Sequence, residues 1–221
     1  MARDVDEELD QRLATLATSP RGGLVLVTGA STAGKTRALS AALDRTMPER
    51  MLVAPPEDTD LRPLPTWLKQ GAARAPQGWV VWLDDLDRHL AASGLTPSLV
   101  TELGHAGAVV AATIRQNHLQ ALHPSSTDHT LGAGVGYAVL KTPPILLERR
   151  WTPTERERAR ASADERLVRA AADERFGVAE QLAAGPVLES IWRSGPDSGH
   201  PRGYALVAAA VGLAQAGVSS P

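Results

Sequence analysis

The residues whose types and spacing can do chemistry begin with the run Gly29-Ala30-Ser31-Thr32-Ala33-Gly34-Lys35-Thr36. A loop that grips phosphates needs backbone angles and close approaches that a Cβ forbids, and Gly29 and Gly34 supply them. The N–H groups of Ala30, Ser31, Thr32 and Ala33 then converge on the anion, helped by the positive end of the following helix. Lys35 is placed to reach the β- and γ-phosphates of a nucleotide, and the Thr36 hydroxyl to coordinate magnesium. Arg37 completes the nucleotide-contacting run. By chance the four fixed positions coincide in on the order of 1% of chains this size, so the match is specific.

A second group lies where the apolar run Trp79 to Leu83 ends in Asp84-Asp85. A carboxylate at the carboxyl end of a buried parallel strand lies where open α/β sheets bind ligands. Asp84 is the candidate magnesium ligand and Asp85 the candidate general base for water. A solvated acidic turn is the competing reading, and Asp87 is expected to cap a following helix. Val109 to Ile114 is another apolar run, ending at Arg115. If that strand lies between those carrying Lys35 and Asp84, Thr113 or Arg115 can sense a γ-phosphate, and Arg115 can stabilise transition-state charge. Otherwise Arg115 is a surface cation paired with a nearby carboxylate.

These groups need elements to position them. Strands are expected at Leu24 to Thr28, Met51 to Ala54, Trp79 to Leu83, Ala108 to Thr113 and, more weakly, Ile145 to Leu147. Helices are expected over Val5 to Leu16, Lys35 to Arg45, about Pro65 to Ala75 and about Pro97 to His105. Alternating strands and helices imply a parallel sheet covered on both faces, a three-layer α/β sandwich. The character changes after Trp151. Thr152-Pro153-Thr154-Glu155 reads as a capping box opening one long charged helix to about Phe176, with Glu165 and Arg169 spaced for an ion pair. Pro186 to Arg193 and Gly203 to Ala216 add two more helices. The expected organisation is a nucleotide-binding domain over 1–150 and a small all-helical lid over 151–221.

Composition narrows the partners. Of 221 residues 43% are apolar and 22% charged, and the net charge is −2. That balance argues against a protein that neutralises nucleic-acid phosphates. With no cysteine, disulfides, thiolate metal sites and thiol catalysis are excluded, and a reducing compartment is expected. The acidic amino terminus lacks a signal peptide's apolar core, and no run approaches a membrane span, so the expected location is cytoplasmic. The six histidines show no metal-ligand spacing. Trp79 and Trp82 are expected to fill core. Asn117, the single asparagine, is followed by His118, so the guanine-reading Asn-Lys-x-Asp pattern is missing and ATP is favoured over GTP.

On these residues the chain resembles the nucleotide-binding core of the STAND class of signal-transduction ATPases, relatives of the AAA+ ATPases that include NACHT and NB-ARC proteins. Gly29 to Thr36 resembles the Walker A motif, Trp79 to Asp85 the Walker B strand, and Thr113-Ile114-Arg115 the Thr-x-Arg sensor. Ile145 to Glu155 resembles the passage into the helical lid. Gly185-Pro186 is similar to the Gly-x-Pro element whose proline approaches the nucleotide, with the intervening residue missing. Gly203 to Ala210 resembles the end of ATPase modules in large actinobacterial tetratricopeptide-repeat proteins. The resemblance implies an ATP/ADP switch with magnesium, slow hydrolysis, nucleotide-dependent homo-oligomerisation, and protein partners or further domains of a longer chain. No winged helix is visible, Arg202 is a candidate second sensor, and the ending reads like a linker. Two rival readings stand beside it: a small phosphotransferase using the Pro55 to Pro65 loop as its lid, and a non-hydrolysing nucleotide-dependent binding module.

Overall fold

Three long apolar runs become the middle of one parallel sheet because both of their faces are covered. The computed structural model describes residues 3–57, 59–90, 93–122, 139, 142–173, 176–183 and 185–215, with the backbone alone at 185, 186, 214 and 215. The first elements are α1 (Val5–Thr18), β1 (Gly23–Gly29), α2 (Lys35–Thr46), β2 (Met51–Val53), α3 (Leu64–Gln70) and β3 (Trp79–Leu83). Then come α4 (Pro97–His105), β4 (Ala108–Arg115), α5 (Gln116–Leu122) and β5 (Ile145–Leu146).

All strand pairs are parallel, in the order β2-β3-β4-β1-β5. Successive strand residues point to opposite faces. Leu24, Leu26, Val81, Leu83, Val110 and Ala112 accordingly pack towards α3, α4 and α5, while Val25, Val27, Val80, Val109 and Ala111 pack towards α1 and α2. The expected three layers are present. β2 is an edge strand, and its Met51 and Leu52 are exposed. Trp79 is buried, with Trp67 tilted against it at 5.6 Å between ring centroids, while Trp82 is half-buried.

Past β5 every described element is a helix: α6 (Pro153–Arg160), α7 (Glu165–Ala172), α8 (Val178–Leu182), α9 (Gly185–Arg193) and α10 (Pro201–Gln215). The capping box forms as expected, with Glu155 N donating to Thr152 Oγ1 at 3.2 Å and Thr152 N donating to Glu155 Oε2 at 2.8 Å. The single long helix does not form. The first helix ends at Arg160, and Asp164, whose carboxylate accepts from Arg166 N at 3.0 Å, caps a new one. The break lets α7 fold back, so that Ala159, Ala170, Ala171 and Val178 share a small core flanked by Trp151 and Leu167. Glu165 and Arg169 form no ion pair among the described residues; Asp164 pairs with Arg166 instead.

The helix expected to Ala75 also stops early, at Gly71, and a short 3₁₀ turn over Ala72–Arg74 follows. Ala216, the expected end of the last helix, and His123 and His129, two of the six histidines, lie outside the described residues.

Candidate functional site

β1 delivers the chain to the carboxyl edge of the sheet, where the backbone must turn sharply into α2. A Cβ on Gly29 would sit 2.3 Å from the Leu147 carbonyl oxygen, so only glycine lets the loop leave beside β5. Gly34, at φ 92°, and Thr32, at φ 61°, take left-handed conformations that fold the loop over. Gly34 is the cap residue of the 12-residue α2 and offers no side chain to its first turn. The unpaired N–H groups of that turn and the helix dipole leave a positive cradle. Ala33 is buried beneath the loop, its N–H donating to Ala30 O at 3.3 Å. Ser31 and Thr32 face outwards.

Lys35 begins α2 and is only 8% exposed. Its Nζ donates to the Gly29 and Ala30 carbonyls at 3.3 and 3.0 Å, which keeps the ammonium inside the loop. Burial pushes its pKa below the ordinary lysine value, and Arg115 adds to that, while Asp85 and Asp84 oppose it. Four of the expected site residues therefore share one electrostatic neighbourhood. Arg37 lies exposed on the first turn of α2.

The expected position of the fourth strand is met, because β4 pairs with β1 on one side and β3 on the other. Its register sets Leu83 opposite Ala112, so the next pair beyond it is Asp84 and Thr113. Thr113, buried at 1% exposure, donates to Asp84 Oδ1 at 2.5 Å and accepts from Asp85 N at 3.2 Å. Thr36 Oγ1 donates to the same carboxylate, 3.2 and 3.3 Å from its two oxygens. Arg115 reaches Asp85 at 3.6 Å. The structure thus brings Lys35, Thr36, Asp84, Asp85 and Arg115 together, and makes Thr113 the brace between the Asp84 carboxylate and the Asp85 amide. Asp85 itself takes a left-handed conformation, φ 50° and ψ 64°, which aspartate tolerates better than most residues.

Asp87 does not cap an α-helix. It lies in a 3₁₀ turn over Leu86–His89, and its Oδ2 pairs with His118 Nδ1 at 2.8 Å. Sequence reasoning set His118 aside as a lone histidine. The signal was positional: Asp87 and His118 both lie within four residues of the ends of adjacent strands, Leu83 of β3 and Arg115 of β4.

The residues fit magnesium on two counts. Neighbouring oxygens around an octahedral magnesium stand about 3 Å apart, close to the Thr36–Asp84 spacing. The donor set is the second: one hydroxyl and one carboxylate suit a metal that keeps several waters and shares phosphate oxygens.

Two other segments reach the loop. Ala179 of α8 lies 3.4 Å from where a Gly34 Cβ would be, and Glu180 pairs with Arg149. Pro186 lies in the first turn of α9, and its side chain is outside the described residues. From the other end of the chain, Arg3 donates to Glu155 at 3.1 Å, to Glu148 O at 3.0 Å and to Ala33 O at 3.4 Å. The Trp151 ring lies 5.1 Å from its guanidinium.

The geometry defines an anion cradle with a buried lysine, a hydroxyl–carboxylate pair beside it, and a second carboxylate held by a cation. No family model matches the chain, and no curated protein matches it. Among solved structures, C. elegans PCH-2 is similar over 76% of this chain and 49% of that one, at 15% identity and a TM-score of 0.39. The chain therefore spans about half of that protein's length, and so loose a likeness carries no argument. Among the described residues no helix is long and apolar enough to cross a membrane.

Proposed function

We propose that this chain is a nucleotide-binding ATPase module that takes ATP with magnesium and serves a signalling switch of the STAND or AAA+ type. One observation carries the reading: Thr36 and Thr113 both donate to Asp84, from α2 and from the strand inserted between β1 and β3. The loop N–H groups of 29–36 and Lys35 bind the phosphates, and Thr36 and Asp84 hold the metal. Asp85 orients the attacking water, and Arg115 answers the charge on the γ-phosphate. Bound magnesium supplies charge neutralisation at the phosphates. Helices α6 to α10 form the lid, and partners or further domains of a longer chain, or further copies of it, read the nucleotide state.

The Arg115–Asp85 pair supports slow turnover, since the cation competes with water for the Asp85 carboxylate. The same pair favours a second reading, a binding module that does not hydrolyse, with Asp85 occupied structurally.

The test is nucleotide binding and turnover in Lys35→Ala and Asp85→Asn. Lys35→Ala is expected to weaken magnesium-dependent ATP binding on the order of 100-fold, since one buried charge on a phosphate accounts for two or more decades. Asp85→Asn is expected to keep ATP binding and lose phosphate release. Equal phosphate release from wild type and Asp85→Asn would remove the general base and leave the binding module. Undiminished ATP binding in Lys35→Ala would sink the site.

A further inference from the structure

The turn carrying Asp84 and Asp85 is joined to the neighbouring strand end at three levels. Thr113 holds Asp84 and the Asp85 amide, Arg115 meets the Asp85 carboxylate, and His118 meets Asp87. The first two contacts belong to the site already described; the third does not. Leu86, fully buried, and Leu119, largely buried, anchor the two segments on the same side of the sheet.

A carboxylate only accepts hydrogen bonds, so His118 Nδ1 carries the proton in this contact. The partner of that bond is under constraint. Asp87 Oδ1 is buried with no hydrogen-bond partner, so among the described residues His118 is the single hydrogen-bond donor to this carboxylate. Meanwhile Asp85, two residues earlier, holds a left-handed conformation that side chains rarely adopt, and such a conformation persists only where its surroundings over-determine it. Arg88 N donating to Asp85 O at 3.0 Å closes the turn from within. That bond fixes the turn's shape; Thr113 pins its start to β4, and the His118 contact ties its far end to the segment that continues β4.

We infer that His118 is a positioning residue: through Asp87 it clamps the Asp84–Asp85 turn to the end of β4 and so sets where Asp85 stands. The inference rests on the ATPase reading for its consequence in turnover, and on the fold alone for the clamp. His118 touches neither nucleotide nor metal in this scheme. Its loss leaves the phosphate loop, Lys35 and Thr36 unchanged.

The test compares wild type with His118→Ala and His118→Asn, whose side-chain amide nitrogen stands close to the place of Nδ1. In hydrogen exchange, peptides spanning 84–89 are expected to exchange about 10-fold faster in His118→Ala than in wild type, with β1 and the loop unchanged. Turnover is expected to fall about 10-fold, as misplacing a reacting group does, with ATP affinity held within about 2-fold. His118→Asn is expected to restore both. Unchanged exchange at 84–89 overturns the clamp. So does His118→Asn exchanging as fast as His118→Ala, while faster exchange with undiminished turnover overturns the placement of Asp85. Absence of ATP binding in wild type removes the ATPase reading alone, and the exchange measurement still decides the clamp.

Discussion

The central sheet and the last two helices use the same apolar residue types to opposite ends. In β1, β3 and β4, Leu26, Val81, Leu83 and Val109 are wholly out of water, and they hold the strand ends that carry the site. In α9 and α10, Leu188, Ile191 and Leu206 are mostly exposed, Leu206 at 74%. The two helices meet mainly through Trp192, stacked on Tyr204 at 5.2 Å with its Nε1 donating to Tyr204 O at 3.2 Å. Sheet residues are ordered by burial; these helices are ordered by local preference and one ring contact. The site was built on the part of the molecule that cannot shift without losing its core.

The largest expected effect breaks or upholds that contrast directly. Leu83→Ala, one residue before Asp84, is expected to cost about 3 kcal/mol in urea unfolding, the usual cost of a cavity in a packed core. Leu206→Ala is expected to change stability by less than about 0.5 kcal/mol, as exposed positions do. Comparable losses at both positions would mean that α10 is covered in solution, and the contrast would fail.

Between the two regions stands Arg3. Its side chain is 10% exposed and that of Glu155 3%, which makes this a buried pair joining the chain's beginning, the loop between β1 and α2, and α6. Removing one partner of a buried pair strands the other charge, typically at 3–5 kcal/mol. Here the terminal segment can lift and let Glu155 rehydrate, so Arg3→Ala is expected to cost about 2 kcal/mol. Burial raises the Glu155 pKa, but hydrogen bonds from Arg3, Asp4 N and Thr152 N outweigh it, and the net direction is down. A lowered carboxylate pKa adds stability that is present above the unfolded value, near pH 4.5, and is lost as pH falls through the folded value. The stability gap between wild type and Arg3→Ala is therefore expected to narrow below that pH in thermal melts. A gap that stays constant down to pH 3 would detach Glu155 from the effect.

How much of this was legible in the sequence depends on how far apart the partners lie. The strand–loop–helix passage from β1 into α2 was legible because its strand, glycines, lysine and threonine are contiguous. The layers were legible because alternation along β1, β3 and β4 assigns each residue to a face. Asp84 and Asp85 were legible as a pair at the end of a buried strand, but their arrangement needed the strand order, which local patterns do not carry. Thr113 braces them because β4 inserts between β1 and β3. Arg3 with Glu155, 152 positions apart, and Asp87 with His118, 31 apart, left no local trace. Side-chain pairs of that kind are read from register and packing, not from periodicity.

The remaining discrepancy yields the smallest and most discriminating prediction. Sequence periodicity runs one helix from Thr154 to Phe176, whereas the structure divides it between α6 and α7. Apart from Glu155, buried with Arg3 at the first turn in either case, both versions leave the charged residues near water, so charge does not decide between them. Capping does: Ser162 Oγ accepts from Asp164 N at 3.2 Å, and Asp164 caps α7. A helix interior disfavours aspartate, while a cap favours it by about 1 kcal/mol over alanine. If the helix were continuous, Asp164→Ala would raise helicity and stability. With the break in place it is expected to lower stability by about 1 kcal/mol without raising helical ellipticity. The break is also what turns Ala170 and Ala171 back onto Ala159, so the variant asks whether the helices beyond the sheet own a core of their own. A gain in both observables would return residues 153–172 to a single rod, leaving α8 without the neighbour that sets it against Gly34.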